Sequence, residues 1–247
     1  MKLLFKPSPV LAGIALSVAL FSSCTKEGVQ NTPVINSTNS FIDNEEMTLM
    51  QVSGNLKLII HPGPNSGQDV YADQWGATGS GNQNHVPELP VNSWDYGGGI
   101  TTRSFIKFPQ LKNVPINARV VSAKLFLYTA ENFLNHPQGN TGDNRCAVQR
   151  IISHNWREAG LTWDNQPEAT TENQAIIQAS DQATQQFNYN PIVDVTAMVQ
   201  QMVAHPETNY GFKLKILNEV PDAAVNFASS EAASPSFRPK LAVTYRY

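Results

Sequence analysis

Short runs in which apolar and polar residues alternate recur from about residue 50 to the end of the chain, and one stretch alone follows a helical period. Asn55-Leu56-Lys57-Leu58-Ile59-Ile60 alternates and then stops at His61-Pro62-Gly63-Pro64, a strand followed by a breaker. Asp69 to Asp73 reads as a second short strand. In Arg103 to Phe108, Ser104, Ile106 and Phe108 share one face and Arg103, Phe105 and Lys107 the other, because strand side chains alternate. Val121, Ala123, Leu125 and Leu127 alternate with Ser122, Lys124, Phe126 and Tyr128. Apolar weight on both faces predicts a central strand there. Arg145–Ile152, Phe187–Asn190, Tyr210–Ile216, Val225–Ser229 and Leu241–Tyr245 complete the set, with Lys213 and Lys215 expected to face water. Val195, Met198, Val199, Met202 and Val203 form one helical stripe that suits core packing, with Asp194 as its N-cap and His205-Pro206 as its stop. Glu168 to Gln186 is a polar crossing with no clear period.

Two connecting segments stand out. Gln74 to Ile100 runs for 27 residues rich in Gly, Asn and Pro and carries Trp75, Trp94 and Tyr96. Long irregular segments of this kind are often functional. Ser153 to Pro167 holds two of the four tryptophans, Trp156 and Trp163. Each ring offers roughly 150–250 Å² that wants burial, so this segment is expected to fold over the end of the core as a plug, with Glu158 and Asn165 tying its backbone. Many short strands, long loops and one helix predict an all-β fold, an antiparallel β-sandwich of jelly-roll type with one short amphipathic helix.

The first residues change the picture of where this sandwich works. Lys2 and Lys6 precede the apolar run Val10 to Phe21, which is shorter than the ~20 residues of a membrane-spanning helix. Ser22 and Ser23 then lead into Cys24, and Leu20-Phe21-Ser22-Ser23-Cys24 resembles the lipobox of bacterial lipoproteins, in which the cysteine is lipidated. An ordinary secretory signal is the alternative. Lys26-Glu27 resembles the charged tag that sends such lipoproteins to the outer face in Bacteroidetes-like bacteria. The expected organisation is a signal peptide over 1–23, a flexible Asn/Ser/Thr-rich tether over 24–48 and one sandwich domain over 49–247, at the outer membrane or cell surface, with the lipid anchor as its sole membrane contact. Cleavage before Cys24 removes Lys2 and Lys6 and takes the formal charge from −3 to −5. A mildly acidic chain without a basic run argues against nucleic acid as a partner. Cys146 is then the one cysteine inside the domain, expected as a small buried residue and unable to form an internal disulfide.

Trp156-x-Glu158 followed by Thr162-Trp163-Asp164-Asn165-Gln166-Pro167 resembles the DNRLRE-domain family. Asp194-Val195-Thr196, Asn209-Tyr210-Gly211-Phe212, Phe227-Ala228-Ser229 with Glu231-Ala232, and Pro239 to Tyr245 agree with it in order, so the resemblance spans Asp69 to Tyr247. It implies a sandwich similar to carbohydrate-binding modules, of the kind appended to polysaccharide-degrading enzymes or carried by exported surface proteins. The family's six-letter string is not present as written; Asp143-Asn144-Arg145 is the nearest. The segment from Trp75 to Ile100 is longer and more aromatic than the family's short Asn-Tyr-Gly connection, which Asp95-Tyr96-Gly97 echoes.

The ligand-binding candidates follow from that segment and the strand after it. Trp75, Trp94 and Tyr96, with Asp95 between two of them, have no strand pattern to bury them, and exposed aromatics grip the apolar faces of sugars. Arg103 and Lys107 share one strand face, and together with Arg145 and Arg150 they could hold an acidic glycan through charge-assisted bonds. Glu158/Asp164 and Asp69/Asp73 are carboxylate pairs of the kind a hydrolase needs, but there is no Gly-x-Ser-x-Gly and no His-Glu-x-x-His. No cofactor is expected. Exported sandwiches often carry a structural calcium, which stays open here although no Asp-x-Asp-x-Asp run marks a site. The leading expectation is therefore a non-enzymatic, lipid-anchored polysaccharide-binding or adhesion protein. A polysaccharide lyase or glycoside hydrolase of the envelope and a structural, protein-binding surface module are the alternatives.

Overall fold

In the computed structural model, residues 40–44, 46–74, 85–95, 99–131 and 139–247 are described. In chain order the strands are β1 (Ser40–Asn44), β2 (Met47–Val52), β3 (Asn55–Ile60), β4 (Gln68–Asp73), β5 (Glu88–Trp94), β6 (Ile100–Lys107), β7 (Arg119–Phe126), β8 (Cys146–Ile151), β9 (Ala169–Ile177), β10 (Ile192–Asp194), β11 (Phe212–Ile216), β12 (Ala223–Ala228) and β13 (Lys240–Arg246). A single α-helix among the described residues, α1 (Thr196–Ala204), follows β10. The strands make two antiparallel sheets. One has the order β1-β2-β3-β13-β7-β10; the other has the order β12-β5-β6-β11-β8-β9, with β4 also paired to β6. This is the all-β sandwich that the alternation predicts.

The core lies between the sheets. Leu58, Leu125 and Val243 on one inner face meet Ile106, Val148 and Leu214 on the other, each at most 1% exposed. Burying such a side chain stabilises the fold by roughly 1.5–3 kcal/mol. Helix α1 adds Met198, Val199, Met202 and Val203 to the same cluster, as its stripe predicts. Its N-cap position is Val195, one residue later than expected. Asp194 still accepts the Thr196 N–H at 2.9 Å. Cys146 is buried and free, and burial pushes its thiol up to about 12, so it stays protonated and inert at neutral pH.

Several elements depart from the pattern reading. The expected tether overlaps the sheet, because Ser40–Asn44 pairs with Met47–Val52 and the latter with β3. Strand β5 lies inside the segment expected to be irregular. Its Pro90 stands opposite Asn226, whose N–H points away to the Asn140 side chain (3.0 Å), so the missing proline N–H removes no bond of that pair. Strand β9 occupies the polar crossing. It is an edge strand whose Thr171, Glu172 and Asn173 are exposed, which hides its period. Phe187–Asn190 is not a strand; the chain there is held by side chains, with Asn190 Oδ1 accepting the Thr129 N–H at 2.9 Å, and the ladder starts only at Ile192. On β7, a register shift against β13 between Thr244 and Tyr245 turns Val120 inward and leaves Val121 47% exposed, out of phase with Ala123.

The outer edge of β12 is closed by loop residues. Ala224 and Ala228 donate their N–H groups to the carbonyls of Thr141 (3.0 Å) and Tyr128 (2.8 Å), flanking the Asn226–Asn140 bond.

Gly211 at the start of β11 has φ +88, and a Cβ there would lie 2.3 Å from the Ile106 carbonyl oxygen. Gly211→Ala therefore suffers both a left-handed backbone and a collision with β6. It is expected to lose at least about 2 kcal/mol in urea unfolding. A loss under about 0.5 kcal/mol would show that β11 does not approach β6 this closely.

Candidate functional site

The outward face of the seven-stranded sheet is itself apolar at its centre. Phe105 on β6, Val70 on β4 and Ile151 on β8 point away from the inner core and are at most 1% exposed. Their cover is the double-tryptophan segment. Trp156 meets Phe105 edge to face with centroids 6.0 Å apart, and its indole N–H donates to the Tyr210 carbonyl at 2.8 Å. Leu161 joins the same cluster. Glu158 Oε1 accepts the Asp69 N–H at 2.6 Å, and Gln68 donates to the Trp156 carbonyl. Asn165 accepts the Thr162 N–H (2.7 Å) and donates to the Gly160 carbonyl (2.8 Å), closing the segment on itself. The segment is thus a strap across a sheet face. The expected plug over the end of the core is corrected, because β4, β6 and β8 carry apolar side chains on both faces and the second face needs covering.

Trp163, the other tryptophan, is half-buried at the border of this strap. The Arg103 guanidinium lies 4.5 Å from its ring centroid. Arg103 also donates from Nε and Nη2 to the Glu219 carboxylate at 2.7 and 2.8 Å, and from Nη1 to Gln166 at 2.8 Å. Lys215 reaches Glu219 at 3.2 Å. Burial, the largest single effect, opposes ionisation of Glu219, but the bonds and charges of Arg103 and Lys215 together outweigh it and hold the carboxyl below its usual range.

Lys213 differs from these neighbours. It stands on β11 between Phe105 and Gln149, only 9% exposed, with Nζ 5.9 Å from the Phe105 ring centroid. Among the described residues no hydrogen bond or ion pair reaches its ammonium. Burial first, and then the charge of Arg103, pull it down to about 8. The expectation that Lys213 faces water is therefore corrected. Its strand is central and its face is sheltered, while Lys215, two residues on, is half-buried and paired.

The other expected ligand residues are dispersed. Lys107 shares the outward face and donates to Asn155 of the strap at 2.6 Å; burial lowers its pKa. Trp94 is half-buried at the end of β5, opposite Ile100, and Asp95 beyond it is exposed. Trp75, Tyr96 and Cys24 lie outside the described residues. Arg145 pairs with Asp143 at 2.7 Å, two strands across from Lys107 and roughly 20 Å farther along the sheet at ~3.3 Å per residue. Arg103 and Lys213 are brought together; Arg145 is not. Sequence reasoning missed Lys213, Glu219 and Gln166, since a Lys-x-Lys alternation looks the same under a strap as in water.

A second group of polar side chains lies at the other border of the strap. His85, Glu158 and Glu231 place one ligating atom each within 4.8 Å of one another, with His85 Nδ1 3.8 Å from Glu231 Oε1. Asp69, 2% exposed, accepts the Ser230 N–H through its carboxylate at 3.1–3.2 Å. Burial, and then the charge of Glu231, push Asp69 well above the usual carboxylate range; burial likewise raises Glu158.

Two packed antiparallel sheets form a β-sandwich, an architecture that hosts many functions. The model of carbohydrate-binding module family 96 matches residues 65–245, and the chain belongs to that family. A search of curated proteins found no match to it. Strands β1 to β3 precede the matched span, yet they pair into its sheet through β13.

Because the folded chain releases the Lys213 proton near pH 8 and the unfolded chain near the ordinary 10.5, burial of this charge costs stability below pH 8. That cost fades as pH rises between the two values. Lys213→Met is expected to be more stable than the wild type in urea unfolding at pH 7, with the difference shrinking by pH 10. Parallel stability profiles for the two proteins would show that the Lys213 charge is not penalised.

Proposed function

We propose that this protein is a lipid-anchored, non-catalytic polysaccharide-binding protein of the bacterial cell surface that holds an acidic glycan at Lys213, on the outer face of the seven-stranded sheet. Family membership supports polysaccharide as the partner. The observation that carries the acidic character is the Lys213 ammonium, 9% exposed and with no direct hydrogen bond or ion pair among the described residues, Glu219 acting on it only through space. A carboxylate or sulfate on a sugar supplies the missing charge, and in a partly desolvated setting such a bond is stronger than a neutral one. Gln149 beside it offers an amide, and Arg103, fixed over the Trp163 ring, shapes the positive potential. Trp94 and Asp95 extend the contact along the chain of sugars from the end of β5 and Lys107 from the strap side, and Trp75 and Tyr96 remain ligand candidates on the sequence alone. The sequence motif at Leu20–Cys24 supports the lipid anchor, and the DNRLRE-like motifs support a module of the exported kind.

Isothermal titration with a polyuronate, a sulfated glycan and a neutral β-glucan tests the binding reading. Binding of an acidic polymer without release of shorter products is expected. It should weaken about 10- to 100-fold in Lys213→Met, matching the 1.5–3 kcal/mol of a charged hydrogen bond, and weaken further with salt. Equal binding of neutral and acidic polymers sinks the acidic reading, and product formation sinks the non-catalytic one. For the anchor, metabolic labelling with a radioactive fatty acid should mark the wild type and leave Cys24→Ser unlabelled and released from the membrane fraction. Label retained by Cys24→Ser places the lipid elsewhere.

A further inference from the structure

We infer that His85, Glu158 and Glu231 form a binding site for one divalent transition-metal ion of the zinc type. The three residues come from separate segments: the run into β5, the strap, and the turn beyond β12. Their ligating atoms already lie within 4.8 Å of one another. Zinc bonds of ~2.0–2.2 Å in a tetrahedron set ligands roughly 3.3–3.6 Å apart; the 3.8 Å between His85 Nδ1 and Glu231 Oε1 needs only a small approach.

The shape of the Glu231 side chain points to an ion independently of the clustering. It is 9% exposed. Its Oε2 accepts the hydroxyls of Ser229 (2.9 Å) and Ser230 (3.3 Å), which fix the carboxylate plane as outer-shell groups do around metals. Its Oε1 is fully buried and has no hydrogen-bond donor among the described residues. A buried carboxylate oxygen without a donor is costly, and this one faces the His85 nitrogen. Glu158 is oriented in the same way by the Asp69 N–H. Buried Asp69, whose N–H holds Glu158, adds a further carboxylate beside the group, so negative charge is crowded into a small space. Among the described residues, the one basic side chain paired with Glu231 is His85. A dication at the centre relieves all of these at once. The imidazole nitrogen selects the chemistry, since calcium and magnesium take oxygen ligands whereas zinc takes nitrogen and carboxylate together. Three protein ligands leave a fourth position for water.

Such an ion would clamp the strap to the ends of β5 and β12 in a domain whose one described cysteine is unpaired. Binding to the folded state alone raises thermal stability by mass action. The untagged full-length chain, stripped with chelator, is titrated with zinc, calcium and magnesium, reading calorimetric stoichiometry and melting temperature. One zinc per chain with an upward shift in melting temperature is expected. His85→Ala and Glu231→Gln should each weaken zinc binding more than about 100-fold, beyond the loss of an outer-shell partner, while Lys213→Met should leave it unchanged. Should Glu231→Gln fail to fold, His85→Ala decides, because its side chain is 66% exposed and its loss spares the core. Absence of stoichiometric zinc binding, undiminished binding by His85→Ala, or an equal response to calcium overturns the inference. Glycan binding plays no part in these readouts, so their failure is separate from that of the proposed function.

Discussion

Strand β6 is apolar on both sides, and the rest of the molecule answers to that constraint. Ile106 takes part in the inner core, as such positions do in any sandwich, while Phe105 is just as deeply buried on the opposite face. A two-layer fold leaves that second face to water, where an exposed Phe with Val70 and Ile151 beside it would form an apolar patch. The strap supplies the third layer. Trp156 brings enough ring area to cover the cluster, and its indole N–H finds the Tyr210 carbonyl, so the large side chain is buried without stranding its polar atom.

Covering the face has electrostatic results. The strap excludes water from part of β6 and β11, which lowers the local dielectric and makes every charge left there expensive or strongly held. Arg103 is strongly held: Glu219, Gln166 and Trp163 share its donors and its plane. Lys213 is left expensive. The same cover, on its other border, presses Glu158 toward Asp69 and Glu231, where acids accumulate. One structural segment thus creates a surplus of positive charge on one side and of negative charge on the other.

What could be read in the chain depended on whether a residue's fate was decided locally. Ser104/Ile106 against Arg103/Phe105, and Ala123/Leu125 on β7, were legible because alternation follows from the strand geometry itself. Trp156-x-Glu158 was legible as a buried, tied segment, although not the surface it covers, since that depends on partners about 50 to 90 residues away. β5 and β9 were not legible. Pro90 argues against a strand unless its partner's N–H is known to point elsewhere, and Thr171 to Asn173 show the polarity of an edge. Of the candidate site, Arg103 could be placed on its outward face, but Glu219 in the turn after β11 and the burial of Lys213 could not. His85, Glu158 and Glu231 are separated by 73 residues each, and no local pattern links them.

The closed edge of β12 bears on how anything can dock here. A β-sheet usually invites a partner through the unpaired backbone groups of its last strand. On β12 those groups are already engaged by Tyr128, Asn140 and Thr141, so an incoming peptide would have to evict native bonds before making its own. Recognition at that margin is left to side chains and faces, which suits a ligand that has no peptide backbone to offer.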